Sequence, residues 1–94
     1  MKLLTEQELS TWLTGQNDWR LEHGRLIREW IFSDFVRAMT FVNNVAALAE
    51  HSQHHPDIEI RFNRVRLGLI THDVGGISDR DVEFASALRG MPTN

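Results

Sequence analysis

The sequence predicts an α+β fold with helices packed on one face of an antiparallel sheet, and three observations carry that prediction. Stretches that alternate apolar with polar residues come in pairs joined by short turns, over 19–32 and again over 58–70. Between the pairs, residues 34–53 space their apolar positions at three and four, the period of a helix. Shorter helical segments with capping signals stand at either end. The order is therefore α-β-β-α-β-β-α, and strand pairs separated by helices point to α+β architecture. A chain of 94 residues forms one domain, spanning 1–94, and buries roughly 60–65% of its unfolded surface.

The first helix opens in "TEQELSTWL", where Thr5 and Glu8 stand at capping-box spacing and Leu9, Trp12 and Leu13 form the apolar stripe. Gly15 and Asn17 end it. "WRLEHGRLIREWIF" reads as two strands around a turn at His23–Gly24. On the second of them Leu26, Arg28, Trp30 and Phe32 share one face, with Ile27, Glu29 and Ile31 on the other. Apolar groups on both faces predict a strand at least partly covered on both sides. Ser33 or Asp34 caps the long helix, whose stripe is Phe35, Ala38, Met39, Val42, Val45, Ala46 and Ala49. Pro56 stops that helix at or before His55, because the residue before a proline is driven toward extended geometry. In "IEIRFNRVRLGLITH" Ile58, Ile60 and Phe62 alternate with charged residues, a turn falls at Asn63–Arg64, and Val65, Leu67 and Leu69 form the next stripe. Gly75–Gly76 permits a tight turn, and Ser78 caps the last helix with Asp81 at the third position of its capping box.

Composition narrows the function. Hydrophobic residues at 41% and charged residues at 24% are ordinary for a soluble globular domain. A net charge of −3 supplies no basic field for nucleic acid or an anionic membrane. The chain has no cysteine, which removes disulfides, thiolate zinc sites and cysteine nucleophiles. No apolar run reaches the length of a signal or a membrane span, so the expected location is the cytoplasm.

Chemistry-bearing residues concentrate in "AEHSQHHPDIEI", where Glu50, His51, His54 and His55 precede Pro56. Three readings are open. As a metal site the segment lacks the HExxH pattern, and a catalytic zinc wants three protein ligands with an open position. As a helix end, the imidazoles satisfy terminal carbonyls and complement the helix dipole, by ~0.3–1 kcal/mol. As an acid/base site, an imidazole at a helix C-terminus is biased toward its protonated form, which suits a general acid near neutral pH. His72, at a strand end before the glycine turn, offers a third imidazole where sites are commonly built. Asp81 reads either as a cap or as an orienting carboxylate, and Glu50 either as an exposed residue or as the group that holds His54 one turn away. Trp12, Trp19, Trp30 and Phe32 read as packing, His23 and His51 as solvated.

Taken together, Glu50-x3-His54-His55-Pro56-x5-Phe62-x9-His72-x8-Asp81 resembles the signature of the pterin-4a-carbinolamine dehydratases. The likeness extends outward through "REWIFSDFVRAMTFVNNVAALAE" and "THDVGGISDRD", over nearly the whole domain. Ile58 stands where many members have Trp, and Phe62 where Tyr is frequent; both bear on pterin affinity rather than on an ionisable group. The resemblance implies a four-stranded antiparallel sheet with its helices on one side, assembled as a homodimer or a tetramer that continues the sheet between subunits. It implies dehydration of a 4a-hydroxytetrahydropterin to the quinonoid dihydropterin, with no metal and no redox cofactor, beside an aromatic amino acid hydroxylase. The expected catalytic residues are His54, His55 and His72: His54 and His72 exchange protons at the 4a centre and His55 holds the pterin. Glu50, Pro56 and Asp81 are expected to orient or bind. The rival expectation is a dimeric binding module that stabilises another protein's oligomer.

Overall fold

In a computed structural model, which describes residues 1–91, the elements follow the expected order. Helix α1 (Glu6–Thr14) leads to β1 (Arg20–Glu22) and β2 (Arg25–Ile31); α2 (Phe35–Ser52) leads to β3 (Asp57–Arg61) and β4 (Arg64–Leu69); a 3₁₀ turn (His72–Val74) precedes α3 (Asp79–Arg89). Residues 92–94 of the single domain expected over 1–94 lie outside the described residues. The four strands form one sheet in the order β1-β2-β4-β3, every neighbouring pair antiparallel. Strands β2 and β3 therefore run in the same direction with β4 between them, and α2 makes the crossover.

Register decides which side chains meet the helices. Trp30 pairs with Val65 and Val65 with Ile60, while Leu26 pairs with Leu69, so these residues share the covered face. From α2, Ala38, Phe41, Val42, Val45 and Ala49 pack onto that face, joined by Phe84, Ala85 and Leu88 of α3. Phe41 is the centre of this layer, its ring 4.8 Å from Trp30 and 5.2 Å from Phe32. Burying each large apolar side chain contributes roughly 1.5–3 kcal/mol. The α2 stripe is rotated from the expected one: Phe41 is inside, while Phe35 and Ala46 face out. A β-sheet floor is broad enough to take positions on both flanks of a helix, and Phe41 is the position that meets Trp30 and Phe32.

The other face of the sheet is charged and open. Arg20 is ion-paired with Glu22 and Glu29, Arg66 with Glu22, and Arg25 with Asp57. The Arg20 guanidinium holds the Glu22 and Glu29 carboxyls below their ordinary range. Of the apolar residues expected to be covered here, only Ile27 is buried; it lies across from Gly68, where an added Cβ would come within 3.2 Å of the Ile27 side chain. Ile31 is 68% exposed, so β2 is covered on its second face in one place alone.

Local signals account for most boundaries. Thr5 and Glu8 close a capping box on α1, Asp34 rather than Ser33 caps α2, and Gly15 alone closes α1. His23 and Gly24 both take positive φ, which suits the tight hairpin between β1 and β2. The second hairpin turns at Phe62–Asn63, not at Asn63–Arg64: Phe62 adopts φ 52°, and Asn63 donates its side-chain amide to the Phe32 carbonyl at 2.8 Å. Phe62 thus leaves the strand stripe and is 69% exposed. The N-terminal segment docks along the entry to α3, with Leu4 N–H on the Ile77 carbonyl and Asp79 N–H on that of Lys2, each at 2.9 Å.

Candidate functional site

The site is assembled where α2 ends, where β4 ends and where α3 begins. Helix α2 stops earlier than the proline requires. Gln53 takes the left-handed conformation at φ 54°, and the His54 N–H reaches back to the Ala49 carbonyl at 3.1 Å. This six-to-one bond is the Schellman closure, which turns the chain sharply and folds the next residue back over the helix. His54 is therefore directed inward, 9% exposed, with its ring edge toward Phe84.

There it meets Asp81. His54 Nε2 lies 2.6 Å from Asp81 Oδ1, and the carboxylate is completely buried. A buried carboxylate needs donors, and three are supplied. Asp81 Oδ2 accepts the Ser78 N–H at 2.8 Å and the Thr71 hydroxyl at 2.8 Å, while Oδ1 faces the imidazole. Ser78 Oγ in turn lies 2.6 Å from Thr71 Oγ1 and accepts the Arg80 N–H at 3.1 Å. Oδ2 makes the capping bond to the Ser78 N–H, and Oδ1 the contact with His54.

His55 points elsewhere. Its Nε2 lies 2.5 Å from Glu50 Oε2, and both side chains are mostly exposed. Of the two readings of Glu50, the structure has the exposed one, with its carboxylate on His55 rather than on His54; the chain reversal at Gln53 turns His54 away from the helix side that Glu50 occupies. Pro56 is half-buried just before β3, and His72 is exposed at the start of the 3₁₀ turn, with no side-chain hydrogen bond among the described residues. The structure thus joins His54 to Asp81 and His55 to Glu50, and leaves His72 bonded to neither pair.

Beside His54 a cleft of about 270 Å³ opens between α2 and α3, lined by Leu48, Ser52, Arg80, Glu83 and Phe84. It is near the lower end of small-molecule sites, ~300 Å³. Arg80 spans its rim to the Gln53 carbonyl at 3.3 Å. A second cleft of about 310 Å³ lies on the open sheet face among Arg25, Asp57, Glu59 and Arg66, and no histidine lines it. Sequence reasoning missed Thr71 and Arg80. The signal for Thr71 was its place at the strand end, next to His72 and seven residues before the Ser78 cap. No group of three or more metal-ligating side chains gathers among the described residues, and no helix there is long and apolar enough to cross a membrane.

Chemically, two imidazoles each backed by a carboxylate, with a third unpaired, can give and accept protons without a metal. Comparisons with known proteins bear on which substrate would use them. The family profile described as pterin 4 alpha carbinolamine dehydratase matches residues 2–91. A protein of Acidobacterium capsulatum, provisionally assigned by name to pterin-4-alpha-carbinolamine dehydratase, is 46% identical over 91 residues, which is 97% of this chain and 99% of the relative. A Gloeobacter violaceus protein with the same provisional name is 47% identical over 92 residues, 94% of this chain and all of the relative. The crystal structure of a transcriptional coactivator/pterin dehydratase from Brucella melitensis superposes with a TM-score of 0.85 at 32% identity, covering 93% of this chain and 95% of that one. A pterin dehydratase-like protein described as a RuBisCO assembly factor in the alpha-carboxysome shares the fold, with a TM-score of 0.64 at 24% identity over 82% of this chain and 95% of that one.

Proposed function

Because the chain belongs to the pterin 4 alpha carbinolamine dehydratase family, we propose that it removes water from a 4a-hydroxytetrahydropterin by histidine acid/base catalysis. The observation that carries this reading is the buried His54–Asp81 pair at 2.6 Å, set beside the His55–Glu50 pair at the end of one helix. In the reaction the C4a–O bond breaks, a C=N bond forms to the adjacent ring nitrogen, one proton is delivered to the leaving oxygen and one is lost from the nitrogen. The sum is water and a quinonoid dihydropterin, with no change in redox state. His54 and His72 exchange these protons from two sides of the ring, and His55 steadies the pterin. Asp81 and Glu50 fix the imidazole orientations, and Pro56 fixes the path by which the chain leaves His55. Positioned proton transfer is worth ~10²–10⁴-fold.

In this reading the enzyme regenerates the pterin for an aromatic amino acid hydroxylase, acts in the cytoplasm, and works as a homodimer or tetramer. The test is the decay of enzymatically generated 4a-hydroxytetrahydropterin with a chelator present. Acceleration of about 10²-fold or more over the spontaneous decay is expected; folded protein that leaves the decay unchanged would end the proposal.

A second role, stabilising another protein's oligomer, is favoured by an exposed apolar group. Ile31, Val36 and Phe62 are about seven-tenths exposed and Phe35 nearly half, all at the end of the molecule where β2 leads into α2. The descriptions of two relatives, as a coactivator and as an assembly factor, agree with such a role. Hydroxyl-radical footprinting of the assembled protein tests it: side chains that stay reactive there support the second role, and side chains that self-association shields would use up the surface it needs.

A further inference from the structure

We propose that the Thr71 hydroxyl is a positioning group that fixes the tautomer of His54 by acting through Asp81. The inference rests on the proposed acid/base role of His54 and goes further, to a residue outside the histidine signature. Thr71 is 3% exposed, and its main chain is held at both polar groups: the N–H donates to the Gly76 carbonyl at 2.9 Å, and the carbonyl accepts from Val74 and Gly76 at 3.2 and 3.3 Å. Its hydroxyl is therefore delivered to one place, beneath the carboxylate.

Proton counting then sets the direction of each bond. A threonine hydroxyl has one proton to give. Given to Asp81 Oδ2, it leaves Thr71 Oγ1 as the acceptor of the Ser78 hydroxyl, 2.6 Å away. Asp81 Oδ2 then accepts two donors, Thr71 O–H and Ser78 N–H, and has no room for a proton of its own. The two donors on Oδ2 leave Oδ1 to accept, and in this arrangement His54 presents Nε2–H to it across 2.6 Å. The lone pair of neutral His54 is consequently on Nδ1. No side-chain nitrogen or oxygen is both buried and unpartnered among the described residues, so this Nδ1, which has no protein partner, is open to solvent, on a residue that lines the cleft.

Without the Thr71 hydroxyl, Oδ2 keeps the Ser78 N–H alone, and the carboxylate can turn about that one bond. The Nε2–H form is then no longer favoured by a fixed acceptor, and the Nδ1–H form becomes populated. Valine keeps nearly the size of threonine and removes the donor, whereas serine keeps the donor.

The experiment is long-range ¹H–¹⁵N correlation of the histidine rings in the intact ¹⁵N-labelled chain. The ring ¹⁵N shifts are first followed as pH is raised, and the tautomer is read where the His54 signals have stopped changing. Wild type is expected to show His54 as a single Nε2–H tautomer, Thr71→Val a mixture, and Thr71→Ser the wild-type pattern. Dehydration should fall about tenfold in Thr71→Val, less than the ~10²-fold that a ~1 Å misplacement of reacting groups can cost, and stay within about twofold in Thr71→Ser. A wild-type protein in the Nδ1–H form overturns the proposal whether or not any variant folds. So does a folded Thr71→Val with the unmixed Nε2–H tautomer. The ring spectra are read without substrate, so a chain that fails to dehydrate a pterin would defeat the catalytic reading and leave the tautomer result to decide the role of Thr71.

Discussion

Replacing Asp81 by asparagine changes one atom in the buried network, and the structure dictates how the rest responds. The amide oxygen must take the Oδ2 place, because the Thr71 hydroxyl and the Ser78 N–H both donate there. The amide nitrogen then faces His54 Nε2 across 2.6 Å, and two N–H groups cannot point at each other. His54 is forced to carry its proton on Nδ1, the nitrogen left free in the wild type. Three charge-assisted bonds become neutral ones, at roughly half the strength, while the cost of burying a charge disappears. The net loss is about 1–2 kcal/mol, or about 4–16 °C in Tm for a domain of this size. The rate should fall much further. With its lone pair turned from the cleft to the network, His54 loses the proton transfer assigned to it, worth ~10²–10⁴-fold. The assay pairs a thermal melt with single-turnover decay of the 4a-hydroxytetrahydropterin. Asp81→Asn that melts a few degrees low and retains less than a tenth of the rate supports the reasoning; a folded Asp81→Asn with the full rate refutes it.

Two further outcomes follow from exposed groups. Glu50→Ala removes a carboxylate from the surface and should leave the melting temperature unchanged, yet weaken pterin binding through the loss of its bond to His55, measured as a rise in KM at nearly constant kcat. Asp79 accepts the Lys2 N–H at 2.9 Å, and this bond holds its carboxyl below the ordinary value. Because the folded value is depressed, the stabilisation is present above the unfolded pKa of about 3.9 and is lost as pH falls through the folded one. Urea midpoints of the wild type and Asp79→Asn should differ at pH 7 and converge as pH falls through the folded value; a gap independent of pH would mean that the carboxylate charge contributes nothing.

The parts of this fold that local chemistry determines were legible in the sequence. Both capping boxes, the His23–Gly24 turn and the paired strands need only a few neighbouring residues, so residue type and spacing suffice. What depends on contacts between distant elements was not. The choice of Phe41 over Phe35 and Ala46 for the interior is made by Trp30 and Phe32 beneath it. Phe62 alternates correctly for a strand but is taken by the turn, because Asn63 finds the Phe32 carbonyl from there. The same distinction holds in the site. Histidines, carboxylates and their spacing could be named from the chain, and Asp81 was already placed at a helix start. Their partners could not, because the left-handed Gln53 decides which carboxylate each histidine meets, and a left-handed glutamine has no sequence signal. Thr71 shows the limit most clearly: threonine at a strand end is common, and only the folded contact with Asp81 distinguishes this one.

The central claim is that these histidines transfer protons. It is tested most directly by the chelator-resistant decay of 4a-hydroxytetrahydropterin with wild type and with His54→Ala/His72→Ala, each shown to be folded by its melt. The account predicts that the wild-type acceleration drops to the spontaneous rate in the double variant. A double variant that is folded and as fast as wild type would contradict it.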